Sequence, residues 1–398
     1  MRSLIVLKGL VKEHKRVWIK KEGLQNFVLD IGKLREMFFK PEYKGGGRTF
    51  LTHSFDDLIY GTLVKAFCAK ASSGILIVLD MEEISTSTLE QLGRIFGYTI
   101  FYKTFSIPSG YSKNGNKYRS SQYLPKGKEE LKSEVQKFSN LDLNKGIIIN
   151  SYLDVEKFWI KSRVILKPKT KEILHVSDLH SHYKLMHDKL PEPSDHELTI
   201  FHGDYIDGPE KGGSRKIMEE VLECKNSNIR FLEGNHELRL RKYLGWKVIK
   251  GDKKLAADCL YSTIPPDFLQ TTAQEFSDLG SNESWAWIMK MNIKLEEHIE
   301  YKTLEDEHVI CSHCGIRWLE QLTPKFIGNL VCSNKNVDRV DEAFSKSYYK
   351  MGFRSIHAHC YYPTGFNPTK YNGVVNLDPE NENTLNYYKD KKVWVLGK

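Results

Sequence analysis

The 398-residue chain shows no internal repeat, no heptad run and no low-complexity segment. Those absences exclude a solenoid, a coiled coil or a disordered tail as its main architecture. Cysteine is sparse, seven residues in all, an odd number scattered along the chain. That usage argues against a disulfide framework and for reduced thiols in a cytoplasm. The opening stretch MRSLIVLKGLVKEHK has an apolar run of only about four residues before charge returns, too short for a signal-peptide core or a membrane span. A soluble, cytoplasmic protein with no membrane partner is expected. Charge of one sign is also modest: a net +8 suits an anionic ligand but does not by itself mark nucleic-acid binding.

What the chain does have is the composition of a folded protein, with 40% hydrophobic residues. At roughly 150 residues per domain its length suggests two domains. In the front half, the apolar run Ser3 to Leu7 is followed by an amphipathic stretch, and SSGILIVLDMEE (72–83) reads as a buried strand ending in acids. The helical pattern STLEQLGRIF then leads into the strand-like GYTIFYKTFSIP (97–108). Strands alternating with helices predict an α/β fold with a parallel sheet. Residues 109–130 are polar and rich in Gly, Ser and Lys, a loop signal, and ELKSEVQKFSNL after them is helix-like. From residue 146 the chain runs through strand-like segments towards Ile173. The expected domains are 1–150 and 165–398.

The chemistry is concentrated in the second half. ILHVSDLHSH places Asp178 and His180 just past an apolar run. Alternate residues on an extended strand tip share a face, so the carboxylate and imidazole are expected to converge on one ion. TIFHGDYIDGPEKGG supplies Asp204 and Asp207 after a second run, and FLEGNHE supplies Asn235 and His236 after a third. HVICSHCGI supplies His313 after a fourth, and SIHAHC places His357 and His359 near a fifth. Taken singly, each cluster has a plain structural explanation, because Asp and Asn suit turns and His is a common hydrogen-bonded residue. Taken together, polar clusters at successive strand ends are how layered α/β folds assemble a site from several loops. Their joint reading is a metal site.

These segments resemble the ordered motifs of the calcineurin-like metallophosphoesterase superfamily over about residues 171–398. Asp178-Leu179-His180 stands for D-x-H, Gly203-Asp204-Tyr205-Ile206-Asp207 for G-D-x-x-D, Gly234-Asn235-His236-Glu237 for G-N-H-[ED], and Ser312-His313 for the lone His after a strand. The resemblance implies a C-terminal β-sandwich of two mixed sheets flanked by helices. It also implies two divalent metal ions: Asp178 and His180 on the first, Asp204 bridging, Asn235 and His313 on the second. SIHAHC lacks the Gly of the family's G-H-x-H, which leaves two alignments: His357 on the second metal with His359 on the first, or only one of them a ligand. The two-ligand alignment is preferred. Mixed oxygen and nitrogen ligands suit several first-row metals without choosing among them; Mn²⁺ is expected first, with Fe, Zn²⁺ or Ni²⁺ as alternatives. Such a pair of ions would activate a bridging hydroxide and clamp the phosphoryl group. His236 would be the general acid, oriented by Asp207. Glu237 reads as a helix-capping residue rather than a ligand.

Two departures bear on substrate. The phosphoprotein-phosphatase branch has Arg directly after the second Asp of its motif, whereas this chain has Gly208. Substrate-binding candidates are therefore Arg239, Arg241, Arg317 and Arg354, each with a plain surface residue as its alternative. Cys314 follows His313 where relatives often carry Gly; with no second ligand pair for zinc, Cys311 and Cys314 read as buried thiols.

The front half has the outline of a phosphate-binding loop: Gly9, four residues, then His14-Lys15-Arg16 where G-K-[ST] is expected. With FVLDIGKLREMFF (27–39) and GILIVLDMEE, it weakly resembles a degenerate polynucleotide-kinase-type P-loop domain. That pairing resembles RNA end-healing enzymes, and NHELRLRKYLGW resembles the corresponding helix of phage metallophosphoesterases. The resemblance implies hydrolysis of phosphate mono- or diesters on RNA ends or nucleotides. The alternatives are a phosphatase of phosphoproteins or small esters, with the front domain recruiting a partner protein, and a non-catalytic binding module.

Overall fold

The computed structural model of the protein describes residues 2–9, 12–38, 56–74, 76–81, 86–105, 146–169, 173–184, 198–208, 210–249, 254–314, 353–358, 374–377, 385–388 and 393–396. The polar stretch 109–130 and the helix expected after it lie outside the described residues. No helix among the described residues is long and apolar enough to cross a membrane.

The first unit contains β1 (Arg2–Lys8), α1 (Lys12–Lys21), β2 (Val28–Asp30), α2 (Ile31–Phe38), α3 (Asp56–Ser72), β3 (Ile77–Asp80), α4 (Ser87–Ile95), β4 (Tyr98–Thr104) and β5 (Ile147–Ile148). Its five-stranded sheet has the order β2-β3-β1-β4-β5, and every pairing is parallel. Successive residues of β1 point to opposite faces. Leu4 and Val6 pack with Phe67, Leu89 and Leu92 of α3 and α4, while Ile5 and Leu7 pack with Trp18 and Ile19 of α1. Burial on both faces explains why β1 reads as an unbroken apolar run.

The segment after β5 differs from its strand-like expectation. Tyr152–Ser162 is a helix, α5, opened by a capping box between Ser151 and Asp154. Its buried Tyr152, Val155 and Trp159 fall at helical spacing and join the β1 core. Arg163 and Val164 then lead directly into β6 (Ile165–Leu166) of the second unit.

That unit continues with β7 (Ile173–Val176), β8 (Leu198–Phe201), α6 (Gly213–Glu223), β9 (Ile229–Leu232), α7 (Asn235–Val248), α8 (Lys254–Tyr261), α9 (Pro266–Gln270), α10 (Thr272–Glu275) and α11 (Ser281–Lys294). The remaining strands are β10 (Leu295–Glu296), β11 (His298–Lys302), β12 (His308–Ser312), β13 (Phe353–His357), β14 (Val374–Asn376), β15 (Leu385–Tyr388) and β16 (Val393–Leu396). They form a six-stranded sheet, β10-β9-β8-β7-β16-β15, and a five-stranded sheet, β14-β13-β12-β11-β6. Both are mixed, with antiparallel pairing at β15/β16 and β11/β12. Ile173, Leu198 and Ile200 of the first sheet share one apolar cluster with Ile299, Tyr301, Val309 and Ile356 of the second. The outer face of the six-stranded sheet, through Leu174, Val176 and Phe201, packs on α6, α7 and α11.

The two units are not beads on a linker. One apolar cluster runs from Phe67, Leu92 and Ile95 into Leu244, Leu260 and Met291, so the front unit buries its helices against α7, α8 and α11. A polar seam accompanies it. The buried Arg2 guanidinium pairs with Glu297 (Nε to Oε1 2.7 Å) and Glu233 (Nη2 to Oε2 3.8 Å). Arg241 of α7 pairs with the same Glu233 and donates to Asn292 Oδ1. Asn292 in turn donates to the Arg94 carbonyl at 3.0 Å.

Candidate metal centre

Five of the six non-glycine residues with positive φ among the described residues sit in two loops just past β7 and β8. They are Asp178 (φ 51°), His180 (40°), Ser181 (63°), Asp204 (53°) and Asp207 (69°). Such backbones cost of order 1–3 kcal/mol each and persist where surrounding structure over-determines them, commonly at functional sites. This also corrects the strand-alternation argument. β7 ends at Val176, and it is left-handed turns, not an extended tip, that bring Asp178 and His180 together.

Two groups hold the loops in place. Gly203 (φ +91°) allows its loop to touch the next, because a Cβ there would lie 2.7 Å from the Gly234 nitrogen. Glu237, in the first turn of α7, then staples both loops: it accepts N–H bonds from Asp204 (2.9 Å), Tyr205 (2.9 Å) and Gly234 (2.8 Å). Glu237 is therefore the capping residue expected and also a clamp across two motifs. Burial, with the Asp204 charge nearby, pushes its carboxyl up to about 7.

Asp204 is the centre of the cluster. Its Oδ1 lies 3.4 Å from His313 Nε2, and its Oδ2 lies 3.6 Å from His236 Nε2 and 4.0 Å from His180 Nε2. Asp178 Oδ1 is 3.7 Å from His180 Nε2, and Asn235 Oδ1 is 3.0 Å from His313 Nε2. Burial disfavours the charge on Asp204, yet the surrounding His236, His313 and His180 outweigh it and hold the carboxyl well below the usual carboxylate range. Asp178 is lowered too: burial opposes it, but its hydrogen bond and attraction to His180 prevail. Burial likewise works against a proton on His313, but Asp204 and Asp178 pull it up to about 9.

The orientation of each imidazole follows from its outer partner. His313 Nδ1 lies 2.7 Å from the His202 carbonyl, which can only accept, so Nδ1–H donates to it, and Nε2–H of the imidazolium donates to the Asp204 carboxylate and the Asn235 amide oxygen, the position where a cation would take the proton's place. His357 likewise donates through Nδ1 to a backbone carbonyl, that of Ala358, at 2.9 Å. Burial lowers His357 to about 4, and His313 and Asp178 are among the charges it feels. His357 is fully buried, and the strand end that carries it is tied to His313 by the Ala358 N–H bond to the His313 carbonyl at 2.9 Å. His359 and Arg317 lie outside the described residues.

Beyond the cluster, His236 Nδ1 is 2.9 Å from Asp207 Oδ2. Asp207 Oδ1 accepts from Thr271 (3.1 Å) and Thr272 (3.2 Å), and Arg239 Nη1 reaches Asp207 Oδ2 at 3.2 Å. Burial opposes the Asp207 charge, but its hydrogen bond to His236 more than compensates and lowers its pKa. The threonines had no signal in the sequence, because they come from the α9–α10 corner more than sixty residues away. Of the arginines expected near substrate, the structure does not bring Arg241 or Arg354 to this cluster: Arg241 is buried against Glu233 and Asn292, and Arg354 pairs with Glu307 at 2.9 Å.

A second group also went unread in the sequence. His175 Nδ1 lies 2.9 Å from His202 Nε2, His175 Nε2 lies 3.2 Å from the Tyr301 hydroxyl, and His202 Nδ1 lies 3.4 Å from the Ser312 carbonyl. That carbonyl fixes the chain of tautomers: His202 Nδ1–H donates to it, His175 Nδ1–H donates to His202, and Tyr301 donates to His175. Cys311 completes a set of donor atoms within 4.8 Å, but every ring nitrogen already has a protein partner. The group is a polar tie between the two sheets, and it anchors the His202 carbonyl that orients His313. Cys311 and Cys314 are buried free thiols, as expected.

The donors around Asp204 fit divalent cations. His180, Asp204 and His236 offer atoms within 4.8 Å of one another, and Asp178 Oδ2 is buried with no hydrogen-bond partner among the described residues. A buried, ionised carboxylate oxygen without a donor is costly unless a cation meets it. Oxygen and imidazole donors in this proportion suit first-row divalent metals and do not select one.

No curated protein matches the chain. Residues 171–347 match the family model for calcineurin-like phosphoesterase, a match that ends before the Ser355–His359 segment. The strand-end carboxylates and imidazoles up to His313 thus lie within the stretch that is similar to calcineurin-like phosphoesterases, and that similarity points to metal-dependent hydrolysis of phosphoesters.

Proposed function

We propose that this protein is a binuclear-metal phosphoesterase acting on nucleic-acid ends, RNA ends first, or on nucleotides. Asp178 and His180 would hold one ion, Asn235, His313 and His357 the other, and Asp204 would bridge them, with His359 completing the first. Manganese is the first candidate. When bound, the ions would supply Lewis acidity to the phosphoryl oxygens and to the attacking water. The observation that carries this reading is the position of Asp204, with its two oxygens facing imidazoles from three different strand-end loops.

The chain's own groups provide the proton. His236 donates through Nδ1 to Asp207, which leaves Nε2 on the cluster side to protonate the departing oxygen. Asp207 stabilises the imidazolium and is itself held by Thr271 and Thr272. The loops that carry Asp204 and Asn235 are fixed by Glu237, so little reorganisation of these two donors is needed when substrate arrives.

We read the front unit as a degenerate kinase-like scaffold. Lys15, the residue that would meet phosphate, is buried and paired with Asp80 at 2.9 Å. A lysine committed to a buried carboxylate is removed from service as a phosphate contact. The nucleic-acid assignment is supported by the net charge of +8 and by this kinase-like outline.

The test is Asp204→Asn with metal analysis. The variant is expected to lose bound metal and hydrolysis of an aryl phosphate while keeping its fold; unchanged turnover sinks the reading. Turnover of a 3′-phosphorylated oligonucleotide, but not of a phosphopeptide, by manganese-loaded protein is the outcome expected for the substrate. The reverse outcome favours the phosphoprotein alternative.

A further inference from the structure

We propose that Arg239 is the side chain that grips the phosphoryl oxygens of the substrate, an inference that rests on the phosphoesterase reading. The position after Asp207 cannot supply that grip in this fold. A Cβ on Gly208 would stand 1.5 Å from the His180 carbonyl oxygen and 2.3 Å from its carbon. Both belong to backbone, and the His180 backbone is held by its N–H bond to the Asp204 carbonyl at 3.0 Å. No side chain fits there, so a cation for the phosphate must come from elsewhere.

Arg239 is placed to do so. Three residues after His236 on α7, it shares a helix face with that residue. Its Nη1 lies 3.2 Å from Asp207 Oδ2 and 3.2 Å and 3.4 Å from the two ring nitrogens of His236. Its side chain is 28% exposed, so the guanidinium stands at the open side of the cluster. Among the described residues only Nη1 has a partner; Nη2 and Nε remain for a ligand. A planar fork anchored at one corner by a carboxylate is preorganised to present its other donors to two oxygens of one phosphoryl group. Arg241 faces the front unit, one full helical face away, already neutralised by Glu233. Asp207 thereby serves both cations, orienting His236 for the leaving oxygen and Arg239 for the oxygens that stay.

The experiment measures inorganic phosphate binding to metal-loaded protein by calorimetry, alongside steady-state hydrolysis of an aryl phosphate, for wild type, Arg239→Ala and Arg239→Lys. Loss of a charge-assisted pair of hydrogen bonds should weaken phosphate binding and raise KM about 10- to 100-fold in Arg239→Ala. Arg239→Lys should recover part of the affinity, and both variants should keep wild-type metal content and thermal midpoint. Unchanged phosphate affinity in Arg239→Ala overturns the proposal, as does loss of metal from that variant, or a wild-type protein that binds no phosphate. Phosphate binding that depends on Arg239 in a protein that hydrolyses no ester would leave this contact standing and remove the hydrolase reading.

Discussion

Replacing Glu237 tests whether the metal loops are held by one buried carboxylate. Glu237 is fully buried and its two oxygens accept three backbone N–H groups, from Asp204, Tyr205 and Gly234. Glu237→Ala orphans all three donors at about 1–3 kcal/mol each. Removing a carboxylate that burial and Asp204 already disfavour returns part of that cost, so a net loss of roughly 3–5 kcal/mol is expected. Glu237→Gln keeps the shape and one oxygen. Its carbonyl can serve Asp204 and Gly234, leaving the Tyr205 N–H facing an NH₂ group, a loss of about 1–3 kcal/mol. Urea denaturation of metal-free protein measures both values, and metal titration measures the loops: affinity should fall in the order wild type, Gln, Ala. Equal stability of Ala and Gln, or full metal affinity in the Ala variant, would refute the staple.

Other perturbations separate the remaining roles. Arg241→Met leaves Glu233, among the described residues, with only the distant Arg2 guanidinium, and breaking a buried pair of this kind costs about 3–5 kcal/mol; denaturation should show that loss while phosphate affinity stays at the wild-type value. Gly208→Ala forces a Cβ into the His180 carbonyl, so overpacking of roughly 3 kcal/mol or more and loss of bound metal are expected from melting and metal analysis. Glu300 is held ionised against burial by His298, His308 and Arg163, so its folded pKa lies below its unfolded value. Its stabilisation is present above the ordinary carboxylate range and fades as pH falls below it. The stability gap between wild type and Glu300→Gln should therefore be largest near pH 7 and shrink below about pH 4, and a gap that widens with acid contradicts that assignment.

Much of the site was legible because its chemistry is local in sequence. Asp178, Asp204, Asn235 and His313 each follow an apolar strand by one to three residues, as Asp178 follows Ile173–Val176 and Asn235 follows Ile229–Leu232. Glu237 was legible as a cap for the same reason. Thr271, Thr272, His175 and His202 were not, because nothing in their neighbours says what they face; their roles arise from pairs 27 to 126 residues apart. Tyr152–Ser162 was misread because the unbroken apolar runs on either side, Ile147–Ile149 and Val164–Leu166, mask a helix whose decisive signal is the Ser151–Asp154 capping box.

By itself the sequence determined which residue types stand at the strand ends and in what order, and hence the class of chemistry. Donor identity is a property of single side chains, and strand-end spacing repeats reliably in layered folds. Tertiary structure alone decided which arginine is free to act. Arg239 and Arg241 are two residues apart on one helix, so their side chains point about 200° apart around its axis. One therefore reaches Asp207 and His236, while the other is spent on Glu233 at the seam with the front unit. The same packing explains Gly208: the left-handed turn at His180 fills the space where an arginine side chain would otherwise begin.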